Sequence, residues 1–400
     1  MHGSSCGLNC CRTIAASRFR QSELDGARRA FLAVTVKPMR YTCLCAFAFR
    51  GDTLIGVILA NTGSPASPEP DDIERYLREF LMDERIRQLP KPLWKYLVYR
   101  RILPKRKVSS AARYRFIWTE EGSPLVVNQQ LLADKVQALF DADENAGESR
   151  VAVRSAMSYG EPSLERVLRD LREAGAEYVV LLPLYPQSAY SPTLAVVDAF
   201  WRAQEAIGWK PPSTVIDNYH DDSGYIAAIA RSIRAAGFDA AAGDRLILSL
   251  HAIPLKDEAA GDTYRAQIAE SVELLADALG VASDDITVAF QSVFGRDESK
   301  WTSPLTRDVL ESWRGDDFRA VLACPGFAID CLETLYDVPH VMVPALEGEG
   351  AAPVVEHVDD IQAACNTQGR FVWVPSLNAS DEHAVLIKGV LVANSEVLSG

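Results

Sequence analysis

From residue 55 onward, short, wholly apolar, β-rich runs alternate with longer segments whose apolar residues recur every three or four positions. Few folds accept that pattern. The runs lie at 55–60, 151–153, 178–182, 214–216, 246–250, 286–290, 320–323, 340–343 and 371–374. Unbroken apolar runs, as opposed to in–out alternation, mark strands buried on both faces. Between them, 71–82, 128–140, 163–174, 193–208, 225–236, 263–279 and 381–392 carry the 3.6-residue period of amphipathic helices. Strands alternating with helices imply an α/β architecture, with parallel sheets flanked by helices on both faces. About nine strands crowd one doubly wound sheet and suit two. The Pro-rich joint Gly208-Trp-Lys-Pro-Pro212 supplies a break near the middle. The chain is therefore expected to form two similar α/β lobes, 55–210 and 211–345. A helix–strand–helix extension, 346–400, is expected to pack back on the lobes.

Residues 1–53 break the pattern. They hold Cys6, Cys10, Cys11, Cys43 and Cys45, five of the eight cysteines, yet the spacing lacks the paired thiols of a zinc knuckle, and residues 12–42 contain no histidine. This segment reads as a poorly ordered leader outside the folded body. The apolar run 41–49 is too short and too far into the chain for a secretory signal, which points to a cytoplasmic protein with reduced thiols. No stretch approaches 18 uninterrupted apolar residues, so no membrane-spanning helix is expected. With 54 acidic against 41 basic residues and a net charge of −13, the chain is a poor candidate for neutralising nucleic-acid phosphates.

In open parallel sheets ligands bind beyond the carboxyl ends of the strands. The first such loop, Asn61-Thr-Gly-Ser-Pro65, has neither dinucleotide-type glycine spacing nor a Gly-Lys-Ser, so nucleotide binding finds no support. Later strand ends carry other chemistry. One loop is aromatic, Pro183-Leu-Tyr-Pro-Gln-Ser-Ala-Tyr190, and another opens with His251-Ala-Ile-Pro254. Two more are Phe290-Gln-Ser-Val-Phe-Gly295 and Cys324-Pro-Gly-Phe-Ala-Ile-Asp-Cys-Leu-Glu333. Each has a structural explanation: His251 donating to a carbonyl, Asp330 capping a helix with Glu333 in a capping-box-like contact, tyrosines as packing residues. Their convergence at strand ends favours function, because a neutral histidine beside a carboxylate binds a dication or accepts protons near neutral pH. Aromatic loops suit a large, flat ligand.

At these residues the sequence resembles the ferrochelatases, which insert ferrous iron into a porphyrin in haem synthesis. The resemblance runs from about residue 55 to 392. Its landmarks, in family order, are Leu59-Ala-Asn-Thr-Gly-Ser-Pro65, Gly122-Ser-Pro124, Tyr159-Gly-Glu-Pro-Ser163, Leu184-Tyr-Pro-Gln187, Ser249-Leu-His-Ala-Ile-Pro254, Phe290–Gly295 and Cys324–Leu335. It implies two Rossmann-like lobes with a porphyrin cleft between them. It implies His251 as proton acceptor and metal-facing ligand, and Glu333 as its carboxylate partner, delivering metal or relaying protons. Tyr114, Ser123, Tyr185, Trp301 and Phe327 fall where the family places pocket residues, and Lys105 and Arg106 are candidates for the propionates. Asp330 fits a supporting role. Asp337, four residues after Glu333, either extends an acidic path for the cation or lies on a solvated helix face, and Pro339 should interrupt the helix near Val338.

The stretch 80–115 joins apolar and aromatic residues to Lys105-Arg-Lys107; in the family it forms a lip over the cleft, and its chemistry would also suit peripheral contact with an anionic membrane. Some ferrochelatases carry an iron–sulfur cluster. Here Tyr190 stands in place of one cysteine, and Cys324, Cys331 and Cys365 are one thiolate short, so no cluster is expected. Thr62 leaves the porphyrin open between protoporphyrin IX and coproporphyrin III. Two other readings stand beside ferrous-iron chelation: a cobalt or nickel tetrapyrrole chelatase, and a non-catalytic tetrapyrrole- or metal-binding protein on the same scaffold. The oligomeric state is not legible.

Overall fold

The computed structural model describes residues 41–42, 53–87, 89–143, 150–295, 297–353, 358–366 and 369–398. The five cysteines of the expected leader lie outside the described residues. Among the described residues nine strands form two sheets: β1 (Tyr41–Thr42), β2 (Leu54–Gly63), β3 (Arg150–Tyr159), β4 (Tyr178–Pro183) and β5 (Ser213–Val215) in one, β6 (Arg245–His251), β7 (Ile286–Gln291), β8 (Ala320–Ala323) and β9 (Phe371–Val374) in the other. The first sheet runs β1-β5-β4-β2-β3 and is parallel except for β1; the second runs β7-β6-β8-β9 and is parallel throughout. Leaving β1 aside, the two orders are one permutation. Each sheet starts in its interior (β2 or β6), steps to one side, then crosses back over its first strand. The connections from β2 and β4 therefore leave in opposite directions, as do those from β6 and β8, and each sheet has a crevice at that point beyond its strand ends.

Burial explains the elements. Every residue of β2 except Thr62 is buried, as the unbroken apolar run predicted. The helix Leu164–Glu173 buries Leu164, Val167, Leu168 and Leu171 along one stripe against this sheet. Each such side chain contributes roughly 1.5–3 kcal/mol. Gly56 lets that helix approach, since a Cβ there would lie 2.8 Å from Leu171 Cδ1. On the other face, one apolar cluster runs from Ile55, Val57 and Leu59 through Leu132 and Val136 to Ile387 and Val390, and on to Leu246 and Leu248 of the second sheet. A single core thus joins the lobes. The helix Asp381–Asn394 reinforces it with ion pairs to both, Lys135–Asp381 (2.6 Å) and Lys388–Asp143 on one side and Arg231–Glu382 on the other.

Two expectations are corrected. The apolar run 340–343 is not a strand but spans a π-helix, Val338–Met342, and the helix Val343–Glu347. A short apolar run does not distinguish the two by periodicity, and the buried Val338, Met342, Val343 and Leu346 recur at helical spacing. The Pro-rich joint does not close the first sheet: Pro211 and Pro212 lead into β5, which pairs with β4, so that sheet extends to residue 215, past the expected end at 210. Within 346–400 a helix, a strand and a helix follow one another as expected, at Ile361–Asn366, Phe371–Val374 and Asp381–Asn394, and the strand, β9, is the fourth of the second sheet. Both of its faces are buried, which ties it to that lobe.

Candidate functional site

The crevice of the second sheet places the histidine. His251 is the last residue of β6, half-buried, with Nδ1 2.7 Å from the carbonyl oxygen of Ala252. A carbonyl only accepts, so Nδ1 carries a proton, and in the neutral ring Nε2 keeps its lone pair. The loop after β8 places the carboxylate: Glu333 sits in the one-turn helix Leu332–Leu335. The Cys331 thiol donates to its Oε2 at 3.1 Å. Phe327, from the same loop, stands with its ring centroid 6.5 Å from that of His251.

Gln291, the last residue of β7, ties the two together. It lies opposite His251 in the parallel register, and its carbonyl accepts from the Ala252 amide at 2.8 Å. Its side-chain amide donates to the Glu333 carbonyl at 2.7 Å. Its own Oε1 accepts from the Ser249 hydroxyl, which is held in turn by Thr306 at 2.7 Å. All three are buried, where a satisfied polar network fixes geometry. The sequence placed Gln291 in a strand-end motif without assigning it a role; its signal was register, since it ends the strand that pairs with the histidine's.

These groups open into a cavity of about 550 Å³ between the sheets' carboxyl ends, within the usual range of roughly 300–1,000 Å³ for small-molecule sites. Eight expected residues line it: Tyr114, Ser123, Tyr185, Trp301, Phe327, Arg106, His251 and Glu333. Lys105 does not. Along the helix Leu103–Ile117 the cavity face is Arg106, Ser109, Ser110, Arg113, Tyr114 and Ile117, and Lys105 projects to solvent. The helical period that puts Arg106 on that face carries Lys105 off it. Arg113, two turns from Arg106, lines the cavity as a second cation.

The cleft's electrostatics follow from burial. The Arg106 guanidinium stacks on Phe294 at 4.5 Å; desolvation, then the charge of Arg113, lower its pKa, and Glu333 opposes them only in part. Burial raises the phenols of Tyr76, Tyr114 and Tyr185, which stay neutral. Tyr185 donates to Asn61 Oδ1 at 2.9 Å and accepts from the Thr62 amide at 2.8 Å, joining the ends of β4 and β2. Asp337 lines the cavity, and burial, then the charge of Glu333, pushes its carboxyl up to about 6; Arg113 at 3.7 Å and the Ser292 hydroxyl at 3.0 Å oppose the rise. Two carboxylates one turn apart thus share a wall, and a dication between them relieves their repulsion. The one-turn helix ends at Leu335, and a separate π-helix starts at Val338 with Pro339 in its first turn, where the missing N–H costs little.

Asp330 is buried outside the cavity, accepting from Thr334 Oγ1 at 2.8 Å and Asn378 Nδ2 at 2.7 Å. The capping residue is Cys331, and its amide donates to Thr334 Oγ1 at 3.0 Å, so Glu333 is released from capping. Cys324, Cys331 and Cys365 are free thiols, each raised by burial, Cys365 to about 12.

Residues 54–394 match the family described as "Ferrochelatase". Among curated relatives, a ferrochelatase of Nitrosococcus oceani is 38% identical over 293 residues, covering 72% of this chain and 78% of that protein. One of Teredinibacter turnerae is 34% identical over 340 residues, 85% of this chain and 87% of its own. One of Haemophilus influenzae is 39% identical over 285 residues, 71% and 85% respectively.

Proposed function

Because this chain belongs to the ferrochelatase family, enzymes of haem biosynthesis, we propose that its 550 Å³ cleft holds a porphyrin while ferrous iron enters the ring and two protons leave. The observation that carries this reading is the contact of His251 Nδ1 with the Ala252 carbonyl. With Nδ1–H donated there, the neutral ring presents its Nε2 lone pair to the same cavity as the Glu333 carboxylate. That pair supplies what metallation requires: a base for the ring N–H protons and an anionic ligand for Fe²⁺ as its waters are shed. A flat macrocycle keeps its nitrogen lone pairs in plane, so holding it distorted exposes them, at the expense of contacts made over the whole ring. Tyr114, Tyr185, Trp301 and Phe327 supply such contacts, and Arg106 and Arg113 are placed to hold propionates. Asp337 gives the cation a second carboxylate beside Glu333.

The lip supports a further part of the proposal, reversible contact with an anionic membrane. Leu93, Tyr96 and Val108 are 56%, 63% and 61% exposed, beside the exposed Arg100, Arg101 and Lys105. No described helix is long and apolar enough to cross a membrane. Vesicles of phosphatidylserine and phosphatidylcholine test this: the chain should co-float with them at low salt, and Leu93→Glu should abolish it.

The main test is anaerobic incubation with Fe²⁺ and either protoporphyrin IX or coproporphyrin III, following the metalloporphyrin by absorbance. One porphyrin should be metallated, and His251→Ala should lower the rate by about 10²–10⁴-fold, the range for a positioned general base. Tight porphyrin binding with no metallation under any condition would refute the reading.

A further inference from the structure

A second constellation of ligating atoms lies outside the cleft. After β5 the chain runs Asp217-Asn-Tyr-His-Asp221, and the His220 side chain is only 3% exposed, packed beside the helix Tyr264–Leu279. Its ring nitrogens meet different partners. Asn218 Nδ2 donates to Asp217 Oδ1 at 2.8 Å, which turns the amide so that its Oδ1 faces His220 Nδ1 at 2.9 Å. An amide oxygen only accepts, so Nδ1 carries a proton. Nε2 faces Oε2 of Glu270, 3.1 Å away. A carboxylate also only accepts, so what lies between them is either the second proton of an imidazolium or a cation held by the neutral ring.

His220, Asp221 and Glu270 each bring one ligand atom, and the three atoms lie within 4.8 Å of one another; Asp221 Oδ1 stands 3.9 Å from Nδ1, so its exposed side chain would turn to join Nε2 and Glu270. Nitrogen and carboxylate ligands at about 2.0–2.2 Å from a dication stand roughly 3.0–3.5 Å apart when they subtend a right or tetrahedral angle. The His220–Glu270 separation falls in that range. The other ring nitrogen of a ligating histidine is usually fixed by an acceptor, as Asn218, braced by Asp217, fixes it here. Asp221 and Glu270 are 55% and 57% exposed, which leaves an entry path and coordination positions for water.

We propose that His220, Asp221 and Glu270 form a second divalent-cation site. One imidazole with two carboxylates suits borderline first-row dications such as Zn²⁺, Co²⁺ or Ni²⁺ better than Mg²⁺, which keeps to oxygen and water. A cation there clips the loop after the first sheet to a helix of the second lobe. That loop is already fastened to the same helix by Ser271, whose hydroxyl donates to the His220 carbonyl at 2.8 Å. Ser271 in turn accepts from the cavity-lining Gln187 at 3.1 Å, so the site sits one relay behind the cleft wall. The proposal uses no residue of the cleft and stands or falls apart from the reading above.

The test removes the cleft's ligands. The full chain carrying His251→Ala and Glu333→Gln is titrated with Zn²⁺ by calorimetry and with Co²⁺ by visible absorption. One saturable site per chain should remain. Adding Glu270→Gln or Asp221→Asn, both at exposed positions where the fold should tolerate them, should weaken it at least tenfold. Asn218→Leu should weaken it 10–100-fold through the histidine's orientation. Absence of a saturable site, or affinity unchanged by Glu270→Gln and Asp221→Asn, overturns the proposal and leaves His220–Glu270 as an ion pair held by a proton.

Discussion

Gln291→Met isolates the tie between the two reacting groups. Methionine matches glutamine in length and volume, so no cavity opens in the buried site, but three polar contacts are lost. The Glu333 carbonyl loses its donor at 2.7 Å, and the hydroxyl of Ser249 and the thiol of Cys324 lose their acceptor. Ser249 retains Thr306 at 2.7 Å, which limits the damage on that side. An orphaned buried carbonyl costs about 1–3 kcal/mol, and the backbone contact of Gln291 with Ala252 survives the change. Because Gln291 does not line the cavity, porphyrin KM should hold within about twofold. The kcat should fall 10–100-fold, the usual effect of removing a residue that orients a ligand. Anaerobic metallation kinetics give both constants, and urea unfolding gives the stability change separately. A variant destabilised by the expected amount but with unchanged kcat would show that Gln291 only holds the fold, and the reasoning about Glu333 would be refuted.

Asp337→Asn carries a pH signature. A carboxyl raised from 3.8 to about 6 in the folded chain destabilises it as pH climbs through that window, by up to about 3 kcal/mol. In metal-free chains Asp337→Asn should therefore match the parent at pH 4 and exceed it in urea midpoint at pH 7.5; equal midpoints at both would refute the assignment. Arg106→Ala should raise porphyrin KM about 10–100-fold, the loss of a charged hydrogen bond, whereas Lys105→Ala should stay within twofold, since Lys105 points to solvent. Gly63→Ala tests the first crevice. At φ 107° an added Cβ would meet the carbonyl of Tyr159, so the variant should lose at least about 1–3 kcal/mol in thermal or urea melts.

The two crevices give the site its logic. Each sheet reverses direction beside its first strand, β2 or β6, and the loops at those strand ends face one cavity. The first lobe supplies Tyr185 locked to Asn61 and Thr62; the second supplies His251 and, through the loop after β8, Glu333. A core that runs unbroken between the lobes holds the two halves at fixed separation. Such rigidity suits a site that must hold a macrocycle away from its relaxed shape.

Local pattern alone determined the parallel α/β class, the two lobes, and the strand ends as the place for chemistry, because unbroken apolar runs and 3.6-residue stripes depend only on neighbours along the chain. The resemblance to the ferrochelatases, carried by motifs at those strand ends, singled out His251 and Glu333. Tertiary structure decided what depends on pairing between distant segments. The proton on His251 Nδ1 follows from a carbonyl placed by the turn after β6, and the bridge through Gln291 follows from the register of β6 against β7. Only the phase of the helix Leu103–Ile117 separates Arg106 from Lys105, and that phase is set by which side of the helix the core covers. The run 340–343 was ambiguous for the same reason: a short apolar segment is compatible with strand or helix, and the packing of Val338, Met342 and Leu346 chose the helix. Membership of β5 in the first sheet likewise rested on its pairing with β4, a contact between residues more than thirty positions apart that no local signal encodes.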